Sequence, residues 1–153
     1  IGQTHKIAKE LVKQIVRHRK SNTSNAVVIG LSGELGSGKT TFVQGFARGL
    51  GLRKRIVSPT FVFIRRYALQ KIKDKGQRVG FANFFHIDAY RVREKKDVVG
   101  LGLKEIFEGS ENLVLVEWGE NVRDFLPEDV LWITLEHGEH QNEREIHMDI
   151  RRN

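Results

Sequence analysis

Gly33-Glu34-Leu35-Gly36-Ser37-Gly38-Lys39-Thr40 fills every position of the phosphate-binding pattern G-x-x-x-x-G-K-[ST]. Its flanks supply the context that pattern needs. Upstream, Ala26-Val27-Val28-Ile29-Gly30-Leu31 is a short, β-branched apolar run that predicts a buried strand; downstream, Thr40 to Ala47 sets apolar side chains at helical spacing. Glycines at 33, 36 and 38 free the backbone of Cβ clashes where N–H groups must turn inward toward phosphate oxygens. The helix adds its unpaired first N–H groups and the positive end of its dipole. Glu34, Leu35, Gly36, Ser37, Gly38, Lys39, Thr40 and Thr41 are therefore expected to surround the phosphates of a nucleoside triphosphate. Lys39 is directed at the β- and γ-phosphates, and the Thr40 hydroxyl is placed to ligate Mg²⁺, a hard ion that prefers oxygen.

Working outward, Thr4 to about Arg19 reads as an amphipathic helix, with Ile7, Leu11 and Ile15 on one line and Ala8, Val12 and Val16 beside it. A polar loop at 21–25 ends it. Beyond the loop's own helix, Gly49 and Gly51 signal a stop, Ile56-Val57 predicts a short strand, and Ser58-Pro59-Thr60 a turn. Phe61 to Leu69 and Val79 to Ile87 read as an antiparallel pair of strands joined by a charged turn at Lys71 to Gly76. A helix over Val98 to about Phe107 precedes a buried strand at Leu113-Val114-Leu115-Val116; Val130 to Leu135 and Glu145 to Arg151 close the chain as two strands. The sum is a single α/β domain over 1–153: three layers, P-loop NTPase-like, with a sheet that mixes parallel core strands and antiparallel additions.

Composition bounds the rest. No stretch approaches about 20 consecutive apolar residues and no signal-peptide pattern opens the chain, so the expectation is a cytoplasmic protein without a membrane span. The absence of cysteine excludes a disulfide framework and a thiolate zinc site. Lys and Arg number 26 against 19 Asp and Glu, a net charge of +7 that fits either a solvated basic surface or one facing nucleic acid.

A phosphate loop needs a carboxylate to help hold Mg²⁺, expected at the C-terminal end of a neighbouring buried strand. Glu117, after four apolar residues, is the leading candidate, with Trp118 packing under the site. In His86-Ile87-Asp88-Ala89-Tyr90-Arg91, strand alternation sets His86, Asp88 and Tyr90 on one face, either as a plain hydrogen-bond cluster or as part of the site. In the second case Asp88 holds a Mg²⁺-bound water or orients the attacking water. Pro59 restricts its turn and leaves Thr60 available to sense the γ-phosphate or its metal. His137, His140 and His147 do not make a convincing metal set. Asp97-Val98-Val99-Gly100 mimics the D-x-x-G signal of GTPases, but Lys95-Lys96 precedes it where a buried strand is needed, and no N-K-x-D sequence is present. A helix is the expectation there.

GELGSGKTTF at 33–42, SPTF at 58–61, HIDAYR at 86–91 and VEWGE at 116–120 together resemble the TsaE (YjeE) family in order and approximate spacing. That resemblance covers about residues 4 to 135. It implies an ATPase of bacterial tRNA N6-threonylcarbamoyladenosine (t6A37) synthesis that uses ATP and Mg²⁺, turns over weakly alone, and acts with the TsaB–TsaD heterodimer, tRNA being met through the complex. It also implies Mg²⁺ ligation by Thr40 and Glu117, phosphate contacts from Lys39 and Thr41, the H-x-D-x-Y-R acid at Asp88 and a switch threonine at Thr60. The chain departs from the common pattern with Glu34 for Asp, Ser37 for Ala, a basic insertion at 71–80 and a longer loop at 17–25. The same loop also supports phosphoryl transfer to a hydroxyl acceptor, so a small-molecule or nucleotide kinase is the alternative, with Arg91 to Lys96 as its lid. A nucleotide-gated tRNA-binding module is a third reading.

Overall fold

The computed structural model describes residues 2–19, 23–56, 64–70, 72–74 and 77–150. In chain order its strands are β1 (Val27–Ser32), β2 (Ile64–Ala68), β3 (Ile72–Asp74), β4 (Gln77–Val79), β5 (Asn83–Asp88), β6 (Asn112–Glu117), β7 (Leu131–His137) and β8 (Arg144–Ile150). The helices are α1 (Gly2–His18), α2 (Lys39–Gly49) and α3 (Leu103–Glu108), with 3-10 turns at Lys95–Asp97 and Gly119–Phe125. Strand alternation decides the layers. Ile29 and Leu31 of β1 and Leu113 and Leu115 of β6 point to one side of the sheet, where Ala8 and Val12 of α1 and Phe42, Val43 and Phe46 of α2 cover them. Val28, Val114 and Val116 point to the other, against Leu103 and Phe107 of α3 and Val122 of the second 3-10 turn. A sheet buried on both faces reads as near-continuous apolar runs, which is why β1 and β6 stood out in the sequence.

The main sheet runs β2-β5-β6-β1-β7-β8. Its four inner strands are parallel, and β2 and β8 pair antiparallel at the two edges, so the mixed three-layer α/β architecture is the one expected. Two glycines seat α1 on α2: a Cβ at Gly45 would lie 2.7 Å from the His5 Cα, and one at Gly49 3.1 Å from the Lys9 Cα. The far end of α1 is anchored by Arg19, whose guanidinium donates to the carbonyls of Gly80 and Ser110 and lies 4.1 Å from the centre of the Phe81 ring.

Several boundaries differ from expectation. The charged turn at 71–76 contains β3, which pairs with β4 as a separate two-stranded ladder, Ile72 opposite Val79. The expected strand from Val79 to Ile87 breaks at Gly80, whose φ of 106° ends β4 before β5 begins. The expected antiparallel pairing survives as β2 with β5. Gly100 (φ 87°) and Gly102 (φ 71°) delay the helix predicted from Val98, so α3 starts at Leu103. Asp97 sits just ahead in a 3-10 turn, its Oδ2 accepting from the N–H groups of Arg93 and Glu94, each at 2.9 Å. Ile7 is more exposed than its place on the helix line suggests, at 39%. Ile56 is buried outside any strand; Val57 and the 58–60 turn lie outside the described residues.

Candidate functional site

The parallel register of β1, β5 and β6 delivers three chain segments to the same end of the sheet. Gly33 follows β1 with φ 139°, and a Cβ there would meet the Leu135 carbonyl oxygen at 2.2 Å, so only glycine fits. Gly38 (φ 101°) starts α2, and no side chain caps that helix, leaving the first N–H groups of α2 facing the loop. Lys39 is 5% exposed and folds back over the loop. Its Nζ donates to the carbonyls of Gly33 (2.5 Å) and Glu34 (2.8 Å) and lies 3.8 Å from the centre of the Trp118 ring. Burial pushes the Lys39 ammonium down from its ordinary pKa, against the attraction of Glu120, Glu117 and Asp88.

Asp88 and Glu117 end β5 and β6 as register partners. Glu117 is 2% exposed, and its two oxygens are divided: Oε2 accepts from Nε2–H of the buried His86 at 2.7 Å, and Oε1 from the Thr40 hydroxyl at 3.3 Å. Asp88 is half-buried and accepts the Tyr90 N–H at 3.0 Å. Burial raises its pKa above the ordinary carboxylate value, with repulsion from Glu117 adding to it; the Tyr90 N–H, His86 and Lys39 oppose the rise. Trp118 takes a left-handed backbone (φ 57°) immediately after β6, and Tyr90 packs its ring 5.0 Å from that of Trp118. Behind this turn Trp132 needs the glycines at 30 and 119, where a Cβ would approach its ring to 2.8 Å.

Leu35, Gly36, Gly38, Lys39, Thr40 and Thr41 on the loop side, with Asp88, Tyr90, Glu117 and Trp118 on the sheet side, line one cavity of about 370 Å³. Of the residues singled out from sequence, Glu34 contributes its carbonyl to Lys39, and Ser37 is fully buried under the loop. Thr60 lies outside the described residues. Trp118 forms a wall of the cavity instead of packing beneath it. Sequence reasoning did not foresee that His86 would touch Glu117, nor a second cavity of about 600 Å³ that shares Gly36, Gly38 and Thr41 with the first. Gln3, Thr4 and Ile7 of α1 and the 142–146 segment close that second space, and Arg144 reaches the Gly36 carbonyl at 3.4 Å. His147 lies 3.4 Å from Glu145 and 3.8 Å from Glu136, all three exposed on the β7–β8 ladder. Among the described residues no helix is long and apolar enough to cross a membrane.

The raised Asp88 value has a measurable consequence. In nucleotide-free protein, ionising this carboxyl costs more folded than unfolded, so its contribution to stability is fullest below about pH 4 and is lost as pH rises through the folded-state value. Asp88→Asn removes that cost. It is expected to raise the melting temperature near neutral pH, the gain shrinking as pH is lowered toward about 4. An unchanged or lower melting temperature at neutral pH would contradict the burial argument.

The fold and this site define an α/β protein of the P-loop class. The chain matches the family model "Threonylcarbamoyl adenosine biosynthesis protein TsaE" over residues 2–146, and it belongs to the TsaE family. It is 38% identical over 119 residues to the tRNA threonylcarbamoyladenosine biosynthesis protein TsaE of Bacillus subtilis, a match covering 78% of this chain and 66% of that protein. The protein of the same description from Treponema pallidum is 36% identical over 108 residues, 71% of each chain. The crystal structure of Bacillus subtilis YdiB superposes with a TM-score of 0.62 at 31% identity, covering 93% of this chain and 77% of that one.

Proposed function

We propose that this chain binds ATP with Mg²⁺ in the cavity between the glycine loop and the ends of β5 and β6, and hydrolyses it to ADP and phosphate in the cytoplasm, in support of t6A37 formation on tRNA by the TsaB–TsaD pair. The observation that carries the reading is the convergence of Lys39, Thr40, Asp88 and Glu117 on one cavity beside an uncapped helix start. The residues fit the groups they would hold. A hydroxyl and a carboxylate 3.3 Å apart, Thr40 and Glu117, are the hard oxygen donors that Mg²⁺ takes, and the ion's contribution is to neutralise charge on the phosphates. Lys39 is already desolvated and trades two carbonyl contacts for phosphate oxygens. Thr41 adds a phosphate contact, Asp88 positions the attacking water, and Thr60 senses the γ-phosphate. The second cavity, continuous with the loop through Thr41, gives room for the nucleoside. Exposed Arg65, Arg66, Arg91, Arg93, Lys95 and Lys96 give the surface the sign that favours an RNA-bearing partner complex.

The test is a reconstitution in which ATP hydrolysis is measured for the chain alone, with TsaB–TsaD, and with TsaB–TsaD plus tRNA. Turnover is expected to be weak alone and stimulated by the pair. Transfer of the γ-phosphate to a nucleoside or nucleotide acceptor instead of water would replace this reading with a kinase.

A further inference from the structure

We infer that His86 is a positioning residue for the metal-binding carboxylate: it holds Glu117 so that one oxygen stays turned toward Thr40 and the cation. This rests on the nucleotide reading above and assigns the residue that reading leaves unused. Burying a carboxylate is costly unless it is paired, and Glu117 is 2% exposed. Its partner is equally hidden, with His86 1% exposed and its Nε2 at 2.7 Å from Oε2.

The rest of the imidazole has no competing task. Nδ1 is buried and meets no hydrogen-bond partner among the described residues, so the polar chemistry of the ring is spent on Glu117 alone. The placement follows from the sheet. Asp88 and Glu117 are register partners across β5 and β6, His86 pairs with Leu115, and His86 therefore lies two residues below Asp88 on the face that carries Glu117. With Oε2 held from below, Oε1 faces the Thr40 hydroxyl at 3.3 Å. Without the His86 donor, Oε2 loses its 2.7 Å contact, and the orientation of the buried carboxylate is left to its remaining contacts.

The test compares three variants of this chain by calorimetric titration of a non-hydrolysable ATP analogue at a series of Mg²⁺ concentrations, with Mg²⁺-free ADP binding and thermal melts alongside. His86→Leu removes the donor, His86→Asn is too short to reach Oε2, and His86→Gln keeps an N–H near the Nε2 position. The Mg²⁺ concentration for half-maximal nucleotide binding is expected to rise about 10-fold or more in Leu and Asn, the range seen when a metal ligand loses its hydrogen-bond partner. Gln should stay near wild type, and ADP binding without metal should be unchanged in all three. If Leu does not fold, Asn against Gln decides. An unchanged Mg²⁺ requirement in folded Leu or Asn, or equal losses in Asn and Gln, or a parallel loss of metal-free ADP binding, overturns the inference while wild-type binding stands. Wild-type binding that ignores Mg²⁺ overturns the proposed metal site and this inference with it.

Discussion

Lys39→Ala is expected to lower ATP binding and turnover steeply while leaving the protein folded. Lys39 is the cation carried by the loop itself, and it is 5% exposed, so neither salt nor another side chain can take its place. A hydrogen bond to a charged group is worth about 1.5–3 kcal/mol, which sets the loss in ATP affinity at roughly 10- to 100-fold. The catalytic loss is larger, because charge grows on the transferred phosphoryl group as it departs. Removing one such stabilising donor costs about 10²–10³ in turnover. Lys39→Arg should fail as well: the guanidinium is planar and broader, and the space between the Gly33 and Glu34 carbonyls and the Trp118 ring fits a compact ammonium. Binding and turnover assays on variants shown to be folded check this. Wild-type affinity in Lys39→Ala would contradict the placement of the phosphates.

The second large effect separates the two acids. Glu117→Gln keeps the shape but removes the charge beside Thr40, so the Mg²⁺ concentration needed for ATP binding should rise. Asp88→Asn should leave binding largely intact and depress hydrolysis about 10²-fold or more, the size of contribution that a positioned proton acceptor makes. Titrating both variants against Mg²⁺ and ATP distinguishes the roles. If Asp88→Asn abolishes metal-dependent binding while Glu117→Gln spares it, the two assignments exchange.

What the sequence disclosed was local in origin. The glycine loop, β1, α2, and Glu117 at the end of a buried run each depend on residues within about one element of one another, and the spacing of apolar and glycine positions carried them. The exceptions come from two sources. Glycines with positive φ at 80, 100 and 102 moved the starts of β5 and α3, and a run of alternating or helical residues does not reveal on which side of a glycine an element begins. The other source is distance along the chain. His86 meets Glu117 only because β5 and β6 are parallel neighbours, and the second cavity joins α1 to the β7–β8 connection. Trp118 likewise needed its left-handed backbone to be seen before its ring could be placed over Lys39.

The central claim is a metal-dependent ATP site at the loop, and calorimetric titration of ATP into this chain, with Mg²⁺ and again with the metal chelated, tests it most directly. The account predicts saturable binding of one nucleotide per chain that weakens without Mg²⁺ and weakens roughly 10- to 100-fold in Lys39→Ala. No binding by the folded wild-type chain, or binding that Lys39→Ala leaves intact, would contradict it.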